Sequence, residues 1–212
     1  MSRAGDRDMA GDAPETGDGA VLVAAGGNLS APGEDLAVRM ARVPAALERA
    51  GLPVKAVSRF YRSAAYPPSD QPDFLNFALR LESGGLDAQS LMARLLAVEA
   101  RFGRRRETRW GARTLDLDLI ALGQTILPDR AAWLARADAA DEMAPLPGLT
   151  VPHPRAHRRD FVLCPLLDIA PHWHHPVLQC SVRSLWARLG GAGLPLWSPP
   201  VPPTAPDPCD GV

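Results

Sequence analysis

Two carboxylates two residues apart, with arginines on either side, are the residues of this chain best placed to do chemistry. They close the stretch Arg109-Trp110-Gly111-Ala112-Arg113-Thr114-Leu115-Asp116-Leu117-Asp118. From Thr114 to Leu122 the apolar residues Leu115, Leu117 and Leu119 alternate with Thr114, Asp116 and Asp118, which predicts a β-strand with both carboxylates on one face. Side chains two apart on a strand lie about 6.6 Å apart along it, and paired metal ions sit about 3.5 to 4 Å apart, so such carboxylates can bracket a pair of cations. Unpaired, they would repel each other and cost stability, so something positive belongs between them. An ordinary strand with a wet acidic face is the alternative, and the surrounding arginines weigh against it. Residues 101–113 carry six arginines and one acid. Arg104, Arg105, Arg106 and Arg109 lie in a segment too alike in charge to pack, expected to stay mobile until an anion orders it.

The whole chain bounds what that stretch can be. Its 212 residues fit one domain, and 46% hydrophobic content is enough for a core. Charge is nearly balanced at 23 basic against 24 acidic residues, so the basic patch suits a small phosphate-rich ligand better than the broad basic surface that nucleic acid needs. Lys55 is the only lysine, a compositional bias that carries no functional reading. Cys164, Cys180 and Cys209 are an odd, unpatterned set that fits neither a disulfide framework nor zinc and suits a reducing cytoplasm. The N-terminus lacks the basic start and apolar run of a signal peptide, and no stretch approaches the roughly 18 apolar residues of a membrane span. A cytoplasmic protein is expected.

The elements that must position the carboxylates can be taken in order. Residues 1–19, rich in Gly, Asp and Ala, read as a disordered extension. Ala20 to Ala25 is a continuous apolar run, a buried strand that stops at the turn Gly26-Gly27-Asn28, where backbone can approach a ligand closely. Leu36, Met40, Val43 and Leu47 recur at helical spacing over 34–50, with Pro44 kinking or dividing the helix. Val54 to Arg62 reads as a second strand, 64–72 as a loop and Phe74 to Leu81 as a third strand, with Leu75, Phe77, Leu79 and Leu81 toward the core. Its other face sets Phe74 beside Asn76. That pair could hold a flat heterocycle by stacking and hydrogen bonds, or Phe74 could pack under a helix while Asn76 caps a turn.

Asp87 is the expected N-cap of a helix to about Phe102, buried through Leu91, Leu95, Val98 and Phe102. Glu99 near its C-terminus opposes the helix dipole and so calls for a cationic or metal-bound partner. The long connection 124–148 holds Trp133 and a helix candidate at 130–142, and connections of that length are usually functional or disordered. His153, between Pro152 and Pro154, is held extended ahead of Arg155, Arg158 and Arg159. Phe161 to Ile169 is an apolar helix interrupted by Pro165, and Ser181 caps a final helix to Gly190. The run Pro171-His172-Trp173-His174-His175 lacks metal-ligand spacing. Seven prolines in residues 191–212 predict a disordered tail. The order β, α, β, β, α, β fits an α+β class: a ferredoxin-like split βαβ sandwich with a mostly antiparallel sheet and helices packed on it, spanning 20–190.

Gly26-Gly27-Asn28-Leu29, Phe60-Tyr61-Arg62-Ser63, Gln71-Pro72-Asp73-Phe74-Leu75-Asn76, the Arg109 to Asp118 stretch, Val151-Pro152-His153-Pro154 and Arg159-Asp160-Phe161-Val162-Leu163 occur in an order and spacing that resembles the 6-hydroxymethyl-7,8-dihydropterin pyrophosphokinase family of folate biosynthesis. The resemblance covers about residues 20–190, and its central motif is specific. It implies transfer of pyrophosphate from ATP to the pterin alcohol, giving AMP. It implies two Mg²⁺ ions held by Asp116 and Asp118 against the ATP phosphates, with Arg104 and Arg113 neutralising the transferring group. Glu99, Arg106, Arg113, His153 and Arg159 would serve ATP. Ser63, Tyr66, Phe74, Asn76, Trp110, Asp116 and Phe161 would serve the pterin, Trp110 and Phe161 sandwiching it while Asn76 reads its edge. A monomer with no nucleic-acid or membrane partner is implied.

The chain departs from the family pattern at Gly27, where Ser is usual, at Ala112, where Pro is usual, and at Leu96, often Gln. The arginine loop is one residue shorter than in some relatives and the 124–148 connection is longer. Two rival readings remain. One is a pterin- or nucleotide-binding module without catalysis, which would not need both aspartates. The other is an RNA-binding domain of the same fold class, whose adjacent aromatic pairs these strands lack.

Overall fold

The computed structural model describes residues 20–104, 111–141 and 144–197. Its centre is β1 (Ala20–Gly27), the apolar run, which pairs antiparallel with β4 (Phe74–Glu82) on one side and β5 (Asp116–Leu122) on the other. β2 (Val54–Val57) and β3 (Tyr61–Ser63) share the far edge of β4, so the sheet runs β2-β4-β1-β5 with β3 beside β4. Every pairing is antiparallel. β1 and β2 flank β4, while β4 and β5 flank β1, which is the split βαβ arrangement doubled. The α+β class expected from the pattern is the class found.

Helices cover both faces. Pro44 divides the first helical segment into α1 (Leu36–Met40) and α2 (Val43–Arg49), sitting in the first turn of α2 where its missing N–H costs nothing. α3 (Ala88–Arg101) starts at Asp87, whose carboxylate accepts the Ser90 N–H at 2.7 Å. Met40, Leu47, Leu91, Leu95 and Val98 press on Val21, Val23, Phe77, Leu117 and Leu119 to make one core. On the opposite face α5 (Asp160–Ile169), with Pro165 inside it, and α6 (Val182–Arg188), capped by Ser181, bury Leu22, Ala78 and Ile120 in a second core. The outward face expected of β4 is therefore largely covered, and Ala78 is fully buried.

Several boundaries differ from the sequence reading: β1 runs on through Gly26 and Gly27, which were read as a turn, and β5 starts at Asp116 rather than Thr114. The expected strand 54–62 breaks at 58–60, where Ser58 Oγ takes the Ala78 N–H at 2.8 Å and Asp168 takes the Arg59 N–H at 3.0 Å. A bulge at Ile120 shifts β5, pairing Val23 with Leu119 but Leu22 with Ala121. The domain does not stop at 190. Pro195 to Trp197 lies along β3, with Arg62 N donating to Pro195 O at 2.8 Å and Trp197 N to Phe60 O at 2.9 Å. A short strand with an open edge takes up backbone partners, and a proline-rich segment can supply them. The expected disordered segments 1–19 and 198–212 lie outside the described residues.

The 124–148 connection holds α4 (Arg130–Ala137), whose Trp133 is fully buried beside Ala137 and Val177. Among the described residues no three His, Cys, Asp or Glu side chains group as a metal site, so the histidine run 172–175 does not form one. His175 instead packs edge-on against Trp133 at 4.8 Å and Trp173 at 5.6 Å, and its Nδ1 accepts the Val177 N–H at 3.2 Å. Burial, with His157 beside it, lowers its pKa from 6.5 to about 4. An imidazole whose pKa falls on folding stabilises fully above 6.5 and progressively less as pH drops toward 4. Between pH 7 and 5 this one group should cost about 2 kcal/mol of folding stability. Urea titrations of the native chain and His175→Gln at both pH values check this: the acid loss should shrink by that amount in the variant, and equal losses would refute it.

Candidate active site

Along one face of β1, side-chain size falls from Leu22 to Ala24 to Gly26. The register sets Ala24 between Ala78 and Asp118, and Gly26 between Asn76 and Asp116. Directly paired residues point to the same side of an antiparallel sheet, so the taper leaves a floor without side chains between Asn76 and the two carboxylates. A side chain at Gly26 would meet Asn76 Oδ1 at 3.1 Å. Above this floor, past the N-terminus of α5, opens a cleft of about 720 Å³.

The cleft brings together Ser63, Tyr66, Phe74, Asn76, Glu99, Arg104, Arg113, Asp116, Asp118, His153, Arg159 and Phe161. The remaining two residues singled out in the sequence, Arg106 and Trp110, lie outside the described residues. Asn76 Nδ2 donates to Ser63 Oγ at 2.9 Å, so its amide is oriented by a neighbouring strand rather than capping a turn. Arg159 lies over the Phe161 ring, 5.6 Å from its centroid.

At the other end, charges are interlocked. Asp116 accepts hydrogen bonds from the guanidinium groups of both Arg104 and Arg113. Glu99, only 2% exposed, accepts from Arg104 and from the Leu117 N–H at 2.8 Å. That guanidinium is the cationic partner its place near the end of α3 calls for, and the carboxylate acts as a strut joining α3 to β5. Burial, then Arg104, lowers the pKa of Arg113, while Asp118 and Glu99 raise it. Burial is the largest cause of the low pKa of His153, about 4; Asp118 opposes it, while Arg159 and Arg155 add to it. His153 Nδ1 accepts the Arg155 N–H at 3.2 Å, which places the proton of the neutral ring on Nε2.

Asn28, read in the sequence only as part of a turn, holds the site together. Its Oδ1 takes the Arg113 N–H at 2.8 Å, its N–H donates to Arg113 O at 2.9 Å, and its Nδ2 donates to Pro72 O at 3.0 Å. One buried amide thus ties the end of β1 to the approach to β5 and to the 71–72 loop. Arg155, 8% exposed, lines the cleft and donates to Ala144 O at 2.8 Å. The taper Leu22-Ala24-Gly26 was the available signal for the floor; Asn28 was marked by the motif Gly26-Gly27-Asn28-Leu29 and Arg155 by its place after His153, but neither signal gave the contacts found here.

A phosphate-suited cluster of arginine and carboxylate beside a slot lined by aromatics and an oriented amide defines an enzyme that moves a phosphate-bearing group onto a small flat acceptor. The comparisons agree. The family model described as 7,8-dihydro-6-hydroxymethylpterin-pyrophosphokinase (HPPK) matches residues 22–171. The 2-amino-4-hydroxy-6-hydroxymethyldihydropteridine pyrophosphokinase of Synechocystis sp. is 40% identical over 165 residues, covering 78% of this chain and 73% of that one. The protein of the same name from Pseudomonas aeruginosa is 38% identical over 159 residues, covering 74% and 83%. Wild-type HPPK-DHPS of Plasmodium falciparum with pteroate shares the fold at a TM-score of 0.56 and 11% identity, over 80% of this chain and 44% of that longer one. The chain belongs to the 7,8-dihydro-6-hydroxymethylpterin-pyrophosphokinase family, whose reaction is pyrophosphoryl transfer to hydroxymethyldihydropterin in folate biosynthesis.

Asn28→Ala should lower folding stability by about 3 kcal/mol, because it strands two buried backbone groups and loosens a third contact. Thermal and urea unfolding measure this, and a loss under about 1 kcal/mol would remove Asn28 from the role of clasp.

Proposed function

We propose that this chain transfers the pyrophosphoryl group of ATP to 6-hydroxymethyl-7,8-dihydropterin, releasing AMP, with Mg²⁺ held by Asp116 and Asp118. The observation that carries the reading is the continuity of the cleft: Asn76, Ser63 and Phe74 at one end of the floor, the Asp116-Arg104-Arg113 cluster at the other. The donor set suits a hard cation. Both carboxylates lie half-buried on one strand face, and among the described residues none hydrogen-bonds the Asp118 carboxylate. With only two carboxylates on offer, phosphate oxygens and water would complete the shell, which is usual for Mg²⁺. When bound, the ions would neutralise phosphate charge.

The chain's own residues do the rest. Asn76, held by Ser63, presents its amide to the hydrogen-bonding edge of the pterin, and Phe161 offers its ring face. Arg104, braced by Glu99, and Arg113, tied through its backbone to Asn28, present fixed positive charge to the transferring group. His153 offers its Nε2–H and Arg159 its guanidinium to the phosphates. The hydroxymethyl oxygen bonds to the β-phosphorus as the bond from that phosphorus to the α,β-bridging oxygen breaks; AMP takes the electron pair and the hydroxyl proton passes to solvent. No residue is assigned the role of general base, and rate on this reading comes from positioning and charge stabilisation. Among the described residues no helix is long and apolar enough to cross a membrane. We expect a cytoplasmic monomer.

AMP release from ATP and Mg²⁺, with and without the pterin, tests the reading. Release should require the pterin, stop with EDTA and fall by about a hundredfold or more in Asp118→Ala and Asp116→Asn while the fold is kept. Near-native turnover in Asp118→Ala would overturn the metal assignment. Arg104→Ala should lower kcat more than it raises the KM for ATP; a raised KM with kcat unchanged would mean that Arg104 binds the ground state as strongly as the transition state.

A further inference from the structure

Helix α4 touches none of the cleft, yet two of its side chains reach for the same six-residue segment of the cleft wall. Trp133, fully buried, donates its indole Nε1–H to Pro152 O at 2.7 Å. One turn on, Arg136 donates to Pro147 O at 3.0 Å, to Leu149 O at 3.4 Å and to the Thr150 hydroxyl. The segment 147–152 then runs directly into His153, whose N–H is fixed on Ile120 O at 2.9 Å, at the β5 bulge. Thr150, His153 and Arg155 from this stretch line the cleft.

A buried indole N–H usually finds a partner, so the Trp133 bond alone would be ordinary packing. Arg136 is different. A helix that only covered apolar surface would gain nothing by spending a guanidinium on three acceptors of one neighbouring loop. The helix is in turn anchored from behind, by Trp133 against His175 and by Arg130, which donates to Val177 O at 2.8 Å.

We propose that α4 is the positioning element for the nucleotide side of the cleft: Trp133 and Arg136 hold segment 147–152 so that His153 and Arg155 face the phosphates. Neither residue meets substrate. This inference rests on the reading that the cleft binds ATP. Loss of a hold on ground-state contacts raises KM without changing kcat, and only for the substrate that those contacts serve.

Steady-state kinetics with each substrate varied in turn, on the full chain, test it. Arg136→Met should raise the KM for ATP by about tenfold and leave kcat and the pterin KM within about twofold, with an unchanged melting temperature. Arg136→Lys, which can still reach part of the acceptor set, should recover part of the loss. Trp133→Phe should act in the same direction, and Leu134→Ala, on the exposed side of α4, should match the native chain. An unchanged ATP KM in a folded Arg136→Met, or an equal rise for ATP and pterin, would overturn the positioning role. If the native chain releases no AMP, it is the reading of the cleft that fails.

Discussion

Four charged side chains, Glu99, Arg104, Arg113 and Asp116, share hydrogen bonds at the end of a sheet where water is scarce. Bringing such charges together costs desolvation that their attraction barely returns, and apolar residues of similar volume would commonly hold a fold at least as firmly. The cluster is therefore poor evidence of stability and good evidence of use. Its geometry dictates much of what surrounds it. Glu99 must be buried on the last turn of α3 to reach both Arg104 and the Leu117 N–H, so α3 must cross β5 at that point and end there. Gly103, with φ at +75°, turns the chain back immediately afterwards to bring Arg104 over Asp116.

The sheet solves a second problem, that of keeping the cluster reachable. Helices cover both faces, and a doubly covered sheet ordinarily has no room for a ligand. Room comes from β1, whose residues on one face shrink toward its C-terminal end, and from α5, which starts only at Asp160 and leaves that end uncovered. Asn76 and Asp116 then stand on either side of Gly26 with nothing between them. On the proposed reading, an acceptor held at one and phosphates held at the other would meet over the same glycine.

How much of this could be read in the chain depends on whether a feature was local. The apolar run of β1, the Asp87 cap, the division at Pro44 and the alternation through Asp116 and Asp118 are set by neighbours in sequence and are found there, although β1 runs on through Gly26 and Gly27 and β5 begins only at Asp116. Features set by distant partners were not legible. The bulge at Ile120 answers to β1 and to His153, and the break at Ser58 answers to Ala78 and Asp168. The strand-like seat of Pro195 to Trp197 exists only because β3 has a free edge. Proline content marked that tail as disordered, yet its described part lends backbone groups to the sheet edge. In the long connection the sequence offered a helix at 130–142, which the structure ends at Ala137; what seats that helix, Trp133 on Pro152 and His175, was not legible.

Gly27 shows how a departure from the family pattern can be absorbed. The family pattern that the sequence resembles has a serine at this position, and glycine lacks its side chain. A Cβ at this position would lie 2.3 Å from the Met40 methyl and 3.0 Å and 3.1 Å from the carbonyl oxygens of Thr114 and Arg113. The thioether therefore already occupies the space, and the backbone of β1 presses closely on the residues before β5. That approach is the one Asn28 secures through the N–H and carbonyl of Arg113. The missing side chain is thus offset by closer packing of the two chain segments that hold the cluster, and the charge network is left intact. Leu96 differs in kind: it sits at the cleft with 37% of its surface exposed and no polar atom to offer.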